Sequence, residues 1–264
     1  MVVIDSHCHV SDVWYEPVET LLFQMDRNGV DGAVLIQILG QFDNGYQQDC
    51  LRRYPGRFAS VVMVNVAEPT AIGELRRLAE DGASGVRLRP TARSVGDDPM
   101  AIWRTAADLG LSVSCPGSSA DFASPEFVEM LASLPELCVV VEHLGSASRP
   151  DADAAQAEQR RAALRNLASL PNVYVKLPGL GEFAQRASPP DAFPFVRPIP
   201  DYLDFVYDLF GPERLMWGSD FPPVAAREGY ARALSLCRSV FMSRPEAARE
   251  LIFGEVAARV FPLR

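Results

Sequence analysis

Only 3 of the 264 residues are histidine, and two of them stand one residue apart in Asp5-Ser6-His7-Cys8-His9. Residues i and i+2 of a β-strand project from the same face, so this spacing sets two imidazoles side by side with Cys8 on the opposite face. Neutral imidazole suits zinc and similar divalent ions, and two on one strand supply half of a tetrahedral shell. A carboxylate with matching chemistry is Asp220, in Met216-Trp217-Gly218-Ser219-Asp220-Phe221-Pro222-Pro223, where the prolines end an apolar run. Such a group ligates a metal ion or takes a proton from an attacking water molecule; an Asp at this point also serves as a helix N-cap. The remaining histidine, His143, follows a valine-rich run in Glu142-His143-Leu144-Gly145. Polarising a substrate or moving a proton is the role its chemistry suggests.

These groups cooperate only if the chain brings them to one rim. Runs rich in Val, Ile and Leu at 2–9, 32–38, 59–66, 85–90, 111–116, 138–143, 172–177 and 215–220 read as strands buried on both faces, as in parallel sheets. Amphipathic stretches between them predict helices at 17–29, 70–80, 99–109, 125–134 and 201–210, with Gly29, Gly82, Gly110 and Gly211 at or near their ends. Eight units of about 33 residues fit a single (β/α)₈ TIM barrel occupying 1–264 as one domain. A doubly wound sheet is the competing fold, but no glycine-rich fingerprint follows a strand. In a barrel the active site lies at the C-terminal ends of the strands. Strand eight pairs with strand one there, so Asp220 is expected beside His7 and His9, with His143 on the same rim. The proline-dense stretch 187–200 predicts either a flap over that rim or a stiff connection.

Cations complete the predicted cavity. Arg87 and Arg89 share one face of the fourth strand, and Lys176 lies in the seventh. A guanidinium fits a carboxylate or a lactone oxygen, which points to an anionic or carbonyl-rich small molecule. Buried charge is costly unless paired, and Glu142 or Asp220 can pair with these cations. Trp14 and Tyr15, just after the histidine pair, are candidates for the cavity wall. A net charge of −9 and a pI near 4.9 argue against a nucleic-acid partner. No apolar run approaches a membrane span, and no signal peptide is recognisable. The 5 scattered cysteines predict free thiols and a cytoplasmic protein. A homodimer is permitted and not required.

Taken together, these residues resemble the amidohydrolase superfamily, in its amidohydrolase-2 branch of TIM-barrel hydrolases, over nearly the whole chain. Asp-Ser-His-Cys-His resembles the first-strand His-x-His motif, and Glu-His-Leu-Gly the sixth-strand histidine motif. Asn172-Val-Tyr-Val-Lys-Leu-Pro-Gly179 resembles the seventh-strand segment, and Gly211-Pro-Glu-Arg-Leu-Met-Trp-Gly-Ser-Asp220 the eighth-strand aspartate motif. Phe253-Gly-Glu-Val-Ala257 is similar to the helix that closes these barrels. The resemblance implies His7, His9 and Asp220 as ligands of a divalent metal, zinc or else manganese, or as descendants of such ligands. His143 would be a further ligand or an acid/base, and Asp220 would activate water. Many members carry another histidine at the end of strand five; here Ser114 and Cys115 occupy that region. A metal-free lactonase-like mode, with Asp220 deprotonating water and histidines and arginines polarising the carbonyl, is therefore also implied.

The expected activity is hydrolysis of a lactone or a cyclic ester or amide. The alternatives are a metal-dependent non-oxidative decarboxylase of an aromatic or unsaturated acid, and a degenerate barrel that binds a ligand without turning it over.

Overall fold

A computed structural model describes residues 1–145, 151, 153–188 and 193–264. Its eight strands are β1 (Ile4–Cys8), β2 (Gly32–Ile36), β3 (Phe58–Val62), β4 (Gly85–Arg87), β5 (Ser112–Cys115), β6 (Val139–Val141), β7 (Val173–Leu177) and β8 (Leu215–Trp217). All neighbouring pairs are parallel, in the order β1 to β8. The ring closes beyond the end of β8. Asp220 N donates to His7 O at 2.9 Å, His9 N donates to Phe221 O at 2.7 Å, and Cys8 and Phe221 form a parallel bridge. The chain is a single (β/α)₈ barrel.

Strand side chains alternate between two cores. Outward residues such as Cys8, Leu35, Val113 and Val175 pack against the helices. Inward residues Ile4, Val34, Val61, Val140 and Met216 fill the barrel floor, where Val256, Ala257 and Phe261 from the C-terminal segment plug it. Those plugging residues belong to or follow the last helix, Val256–Val260, which a π-helical turn joins to Glu246–Glu250. Apolar filling below leaves the polar side chains at the upper, C-terminal rim.

The strands are shorter than their apolar runs. The fourth ends at Arg87, the sixth at Val141 and the eighth at Trp217, because past these points the backbone turns out of the ladder. His143, Leu144 and Asp220 take positive φ values of 50°, 55° and 58°. Non-glycine residues held there cost about 1–3 kcal/mol each and cluster at functional sites. Helices Val18–Asn28, Ala71–Glu80, Ala101–Asp108, Pro125–Ala132 and Tyr202–Phe210 match the predicted stretches within a few residues. Within 187–200, residues 189–192 lie outside the described residues. Of the rest, Phe195 pairs antiparallel with Arg186, just before the stretch, and none lines the cavity described below. Among the described residues, no helix is long and apolar enough to cross a membrane.

Candidate active site

A cavity of about 660 Å³ opens at the C-terminal rim, lined among others by His9, Arg89, His143, Asp220 and Arg227. Barrel closure brings the first- and eighth-strand groups together as expected. His7 Nε2 lies 3.2 Å from His9 Nε2, and Asp220 Oδ1 lies 3.8 Å from the first and 3.4 Å from the second. His143 joins them, its ring centroid 4.6 Å from that of His7.

Each imidazole is fixed through its other nitrogen. His9 Nδ1 donates to the carbonyl of Ile36 at 2.7 Å, which leaves a lone pair on Nε2. His143 Nδ1 donates to Glu182 Oε2 at 2.7 Å. His7 Nδ1 sits 3.0 Å from Lys176 Nζ, which also donates to Ser114 Oγ at 2.8 Å. Ser114 Oγ in turn donates to Glu142 Oε1 at 2.6 Å. Serine thus stands where the fifth-strand histidine of many amidohydrolases is absent here, and it relays between a cation and a carboxylate. Cys115 is fully buried, and burial pushes its thiol pKa far up, so it remains protonated.

The surroundings set distinct charge states. Burial, reinforced by Lys176, lowers the His7 pKa well below the usual imidazole value. Burial opposes charge on His143 too, but the Glu182 carboxylate beside it overrides this and raises its pKa to about 9. Asp220 is held well below the carboxylate range, against its burial, by His9, His143 and Arg227. Burial pulls Lys176 down to about 7 despite Glu142.

The first- and eighth-strand donors fit a divalent ion. Tetrahedral ligands at 2.0–2.1 Å have edges of roughly 3.3–3.4 Å, close to the 3.2, 3.4 and 3.8 Å triangle of His7, His9 and Asp220. One ligand atom each of His7, His143 and Asp220 also lies within 4.8 Å of the others. A metal-bound imidazole usually donates its second N–H to an acceptor. For His7 that acceptor would be Lys176 as a neutral amine, a form its lowered pKa makes accessible.

The three predicted cations have separate fates. Arg87 is buried, donates to both Glu142 oxygens at 3.0 and 2.6 Å and gives NH1 to Gln37 O at 2.8 Å. Lys176 is buried beneath the histidines. Arg89, beyond the end of β4, is exposed on the cavity wall, and its guanidinium has no hydrogen bond or ion pair among the described residues. Trp14 is 71% exposed and lines a neighbouring depression, whereas Tyr15 lines the cavity with its ring centroid 5.8 Å from that of His9.

The amidohydrolase family model, Amidohydro_2, matches residues 4–263. The chain belongs to this family. An L-fucono-1,5-lactonase of Burkholderia multivorans is 38% identical over 133 residues, 47% of this chain and 43% of that one. A second L-fucono-1,5-lactonase, from Burkholderia ambifaria, is 28% identical over 74% of this chain and 66% of its own. The matches thus span less than two thirds of either lactonase. A 4-sulfomuconolactone hydrolase of Rhizobium radiobacter is 27% identical over 78% of this chain and 66% of its own. Among solved structures, a Burkholderia multivorans amidohydrolase with bound zinc superposes with a TM-score of 0.79 at 26% identity, covering 100% of both chains.

Two members of the site lay outside the sequence expectations. Glu182 holds His143, and Arg227 donates to Asp220 Oδ2 at 2.9 Å and to Glu182 Oε1 at 3.3 Å. Their loops are locked by a third acid, Glu228, seated against Gly179-Leu180-Gly181, where Gly181 N donates to it at 3.1 Å. A Cβ on Gly179 would stand 2.0 Å from Glu228 Oε1, and one on Gly181 2.1 Å from Oε2. The paired glycines were the legible signal, since spaced glycines mark a close backbone approach. Gly179→Ala is expected to cost about 2–3 kcal/mol through displacement of the buried carboxylate. Adding Glu228→Ala should recover most of that loss in thermal melts, a non-additivity expected only of contacting groups.

Proposed function

We propose that this amidohydrolase opens lactones by attack of water on the ring carbonyl. The observation that carries the reading is the placement on one cavity rim of a base, Asp220, and a histidine, His143, with ligand atoms within 4.8 Å of each other, the Nδ1 of His143 being tied back so that Nε2 is left for the substrate. Asp220 Oδ1 accepts the proton of the attacking water. His143 Nε2 donates to the carbonyl oxygen and then to the ring oxygen as the C–O bond breaks. One water is consumed and one hydroxy acid formed. A divalent ion held by His7, His9 and Asp220, with His143 within reach and zinc as our choice, would polarise the carbonyl and acidify the water. The names of the lactonase relatives support this reaction over decarboxylation. The five free cysteines favour a reducing cytoplasmic setting.

Arg89, the exposed cation on the wall, would bind a carboxylate carried by the lactone. Tyr15, Ile38 and Leu39 offer an apolar wall for the ring. Arg89→Ala is expected to raise KM for carboxylated lactones by roughly 10- to 100-fold, the worth of a charge-assisted hydrogen bond, and to leave neutral lactones unaffected. The test of the function is a panel of five- and six-membered lactones, neutral and carboxylated. It is followed by proton release and product mass on protein whose zinc content has been measured. Ring-opened acid heavier than substrate by one water supports the reading; release of carbon dioxide, or no turnover of any lactone, removes it.

A further inference from the structure

Glu182 stands behind His143 rather than in the cavity, with its side chain only 3% exposed. Its two oxygens serve two donors. Oε2 accepts from His143 Nδ1 at 2.7 Å and Oε1 from Arg227 NH2 at 3.3 Å, while Arg227 NH1 reaches Asp220 Oδ2 at 2.9 Å. One continuous chain, His143–Glu182–Arg227–Asp220, therefore joins the two neighbouring cavity groups from behind. We propose that Glu182 is a positioning residue of the reaction, which sets His143 and Asp220 in one fixed relation through these two contacts. The proposal rests on the hydrolytic reading of Asp220 and His143.

Three features support it. First, a carboxylate at Nδ1 dictates that this nitrogen carries a proton, so the atom turned to substrate is Nε2. Second, both donors are satisfied only by a carboxylate, because an amide offers one oxygen and a repelling NH2. Third, the guanidinium that bridges the two acids occupies Asp220 Oδ2, leaving Oδ1 as the oxygen beside the histidines. His143 and Asp220 both sit on positive-φ backbone just past strand ends. On such backbone, where strand geometry no longer sets the side chain, these contacts give each group its aim.

Glu182→Gln separates positioning from mere structure. With the hydrolysed lactone as substrate, kcat should fall about 10²-fold with KM within about twofold, the pattern of a lost supporting contact. Because the chain has only 3 histidines, their ring protons are separable by nitrogen-correlated NMR. The native enzyme should show a His143 Nδ1–H resonance shifted far downfield by its carboxylate acceptor. The variant should lack it, with His9 unchanged. A folded variant with native kcat, or one altered in KM alone, overturns the proposal. So does a native enzyme without that resonance, which decides the matter if the variant does not fold. If no lactone is turned over the functional reading fails, and the His143 resonance still reports whether Glu182 sets the imidazole.

Discussion

Asp220→Asn is expected to lower kcat by roughly 10⁴-fold, the upper end of what a positioned base contributes, with the fold intact. The substitution removes the carboxylate that lies 3.4–3.8 Å from the His7–His9 pair, and an amide cannot take a proton from water. Two further consequences follow from its contacts. Arg227 loses the charge at Oδ2 and keeps only Glu182 as an acidic partner within 3.3 Å in that chain. The backbone at position 220, with φ 58°, accepts asparagine readily because Asn and Asp are the non-glycine residues most at ease there. Asp220→Ala would add strain of about 1 kcal/mol at the same position, so Asn is the cleaner variant. Thermal melts should place it within a few degrees of the native enzyme. A product-inhibition constant near the native value would show that the cavity still binds. Substantial residual hydrolysis would instead remove Asp220 from the chemistry.

Much of this arrangement was legible because a topological rule places it. Asp220 lies far from His7 in sequence, yet closing an eight-stranded parallel ring sets strand eight beside strand one, and the observed bonds between Asp220 and His7 and between His9 and Phe221 are that closure. The two arginines were harder. Period-two alternation put Arg87 and Arg89 on one face, but the strand ends at Arg87. One guanidinium is therefore buried against Glu142, while the other is delivered to the rim by a chain already leaving the sheet. Local sequence does not carry the residue at which a ladder stops.

Glu182 and Arg227 were missed for a related reason. They sit on loops after β7 and β8 whose contact is set by the seat of Glu228 on two glycines, and loops have no periodicity to read. The helix Gly45–Arg53 escaped on composition: its inward face carries Gln47 and Gln48, and Gln47 Oε1 accepts from Ser60 Oγ at 2.9 Å. Glutamines at buried positions beside Cys50 and Leu51 interrupt the apolar stripe that marks a helix in sequence.

Arg87→Met should be the most destabilising of the substitutions considered. The Glu142 side chain is inaccessible to water and held by Arg87 Nε and NH2. Removing one partner of such a pair costs about 3–5 kcal/mol because the other charge stays buried, a fall in Tm of roughly 10 °C for a chain of this size. The pH dependence identifies the cause. Burial favours the neutral acid, but Arg87 and Lys176 hold Glu142 at about 2 against an ordinary value of 4.5. In the native enzyme this contribution is therefore complete above pH 4.5 and is lost as pH falls toward 2. Without Arg87 the largest charge opposing burial is gone, and the Glu142 pKa moves up toward its unfolded value. The variant then loses less stability on acidification through that range, and its deficit against native protein shrinks as pH drops. Melts across acid and neutral pH read this directly, and Arg87→Met with Glu142→Leu should recover most of the loss. A native Tm with KM raised for carboxylated lactones alone would make Arg87 a substrate ligand instead. The bidentate geometry argues otherwise, since the donors an incoming carboxylate would need are already committed to Glu142 and Gln37.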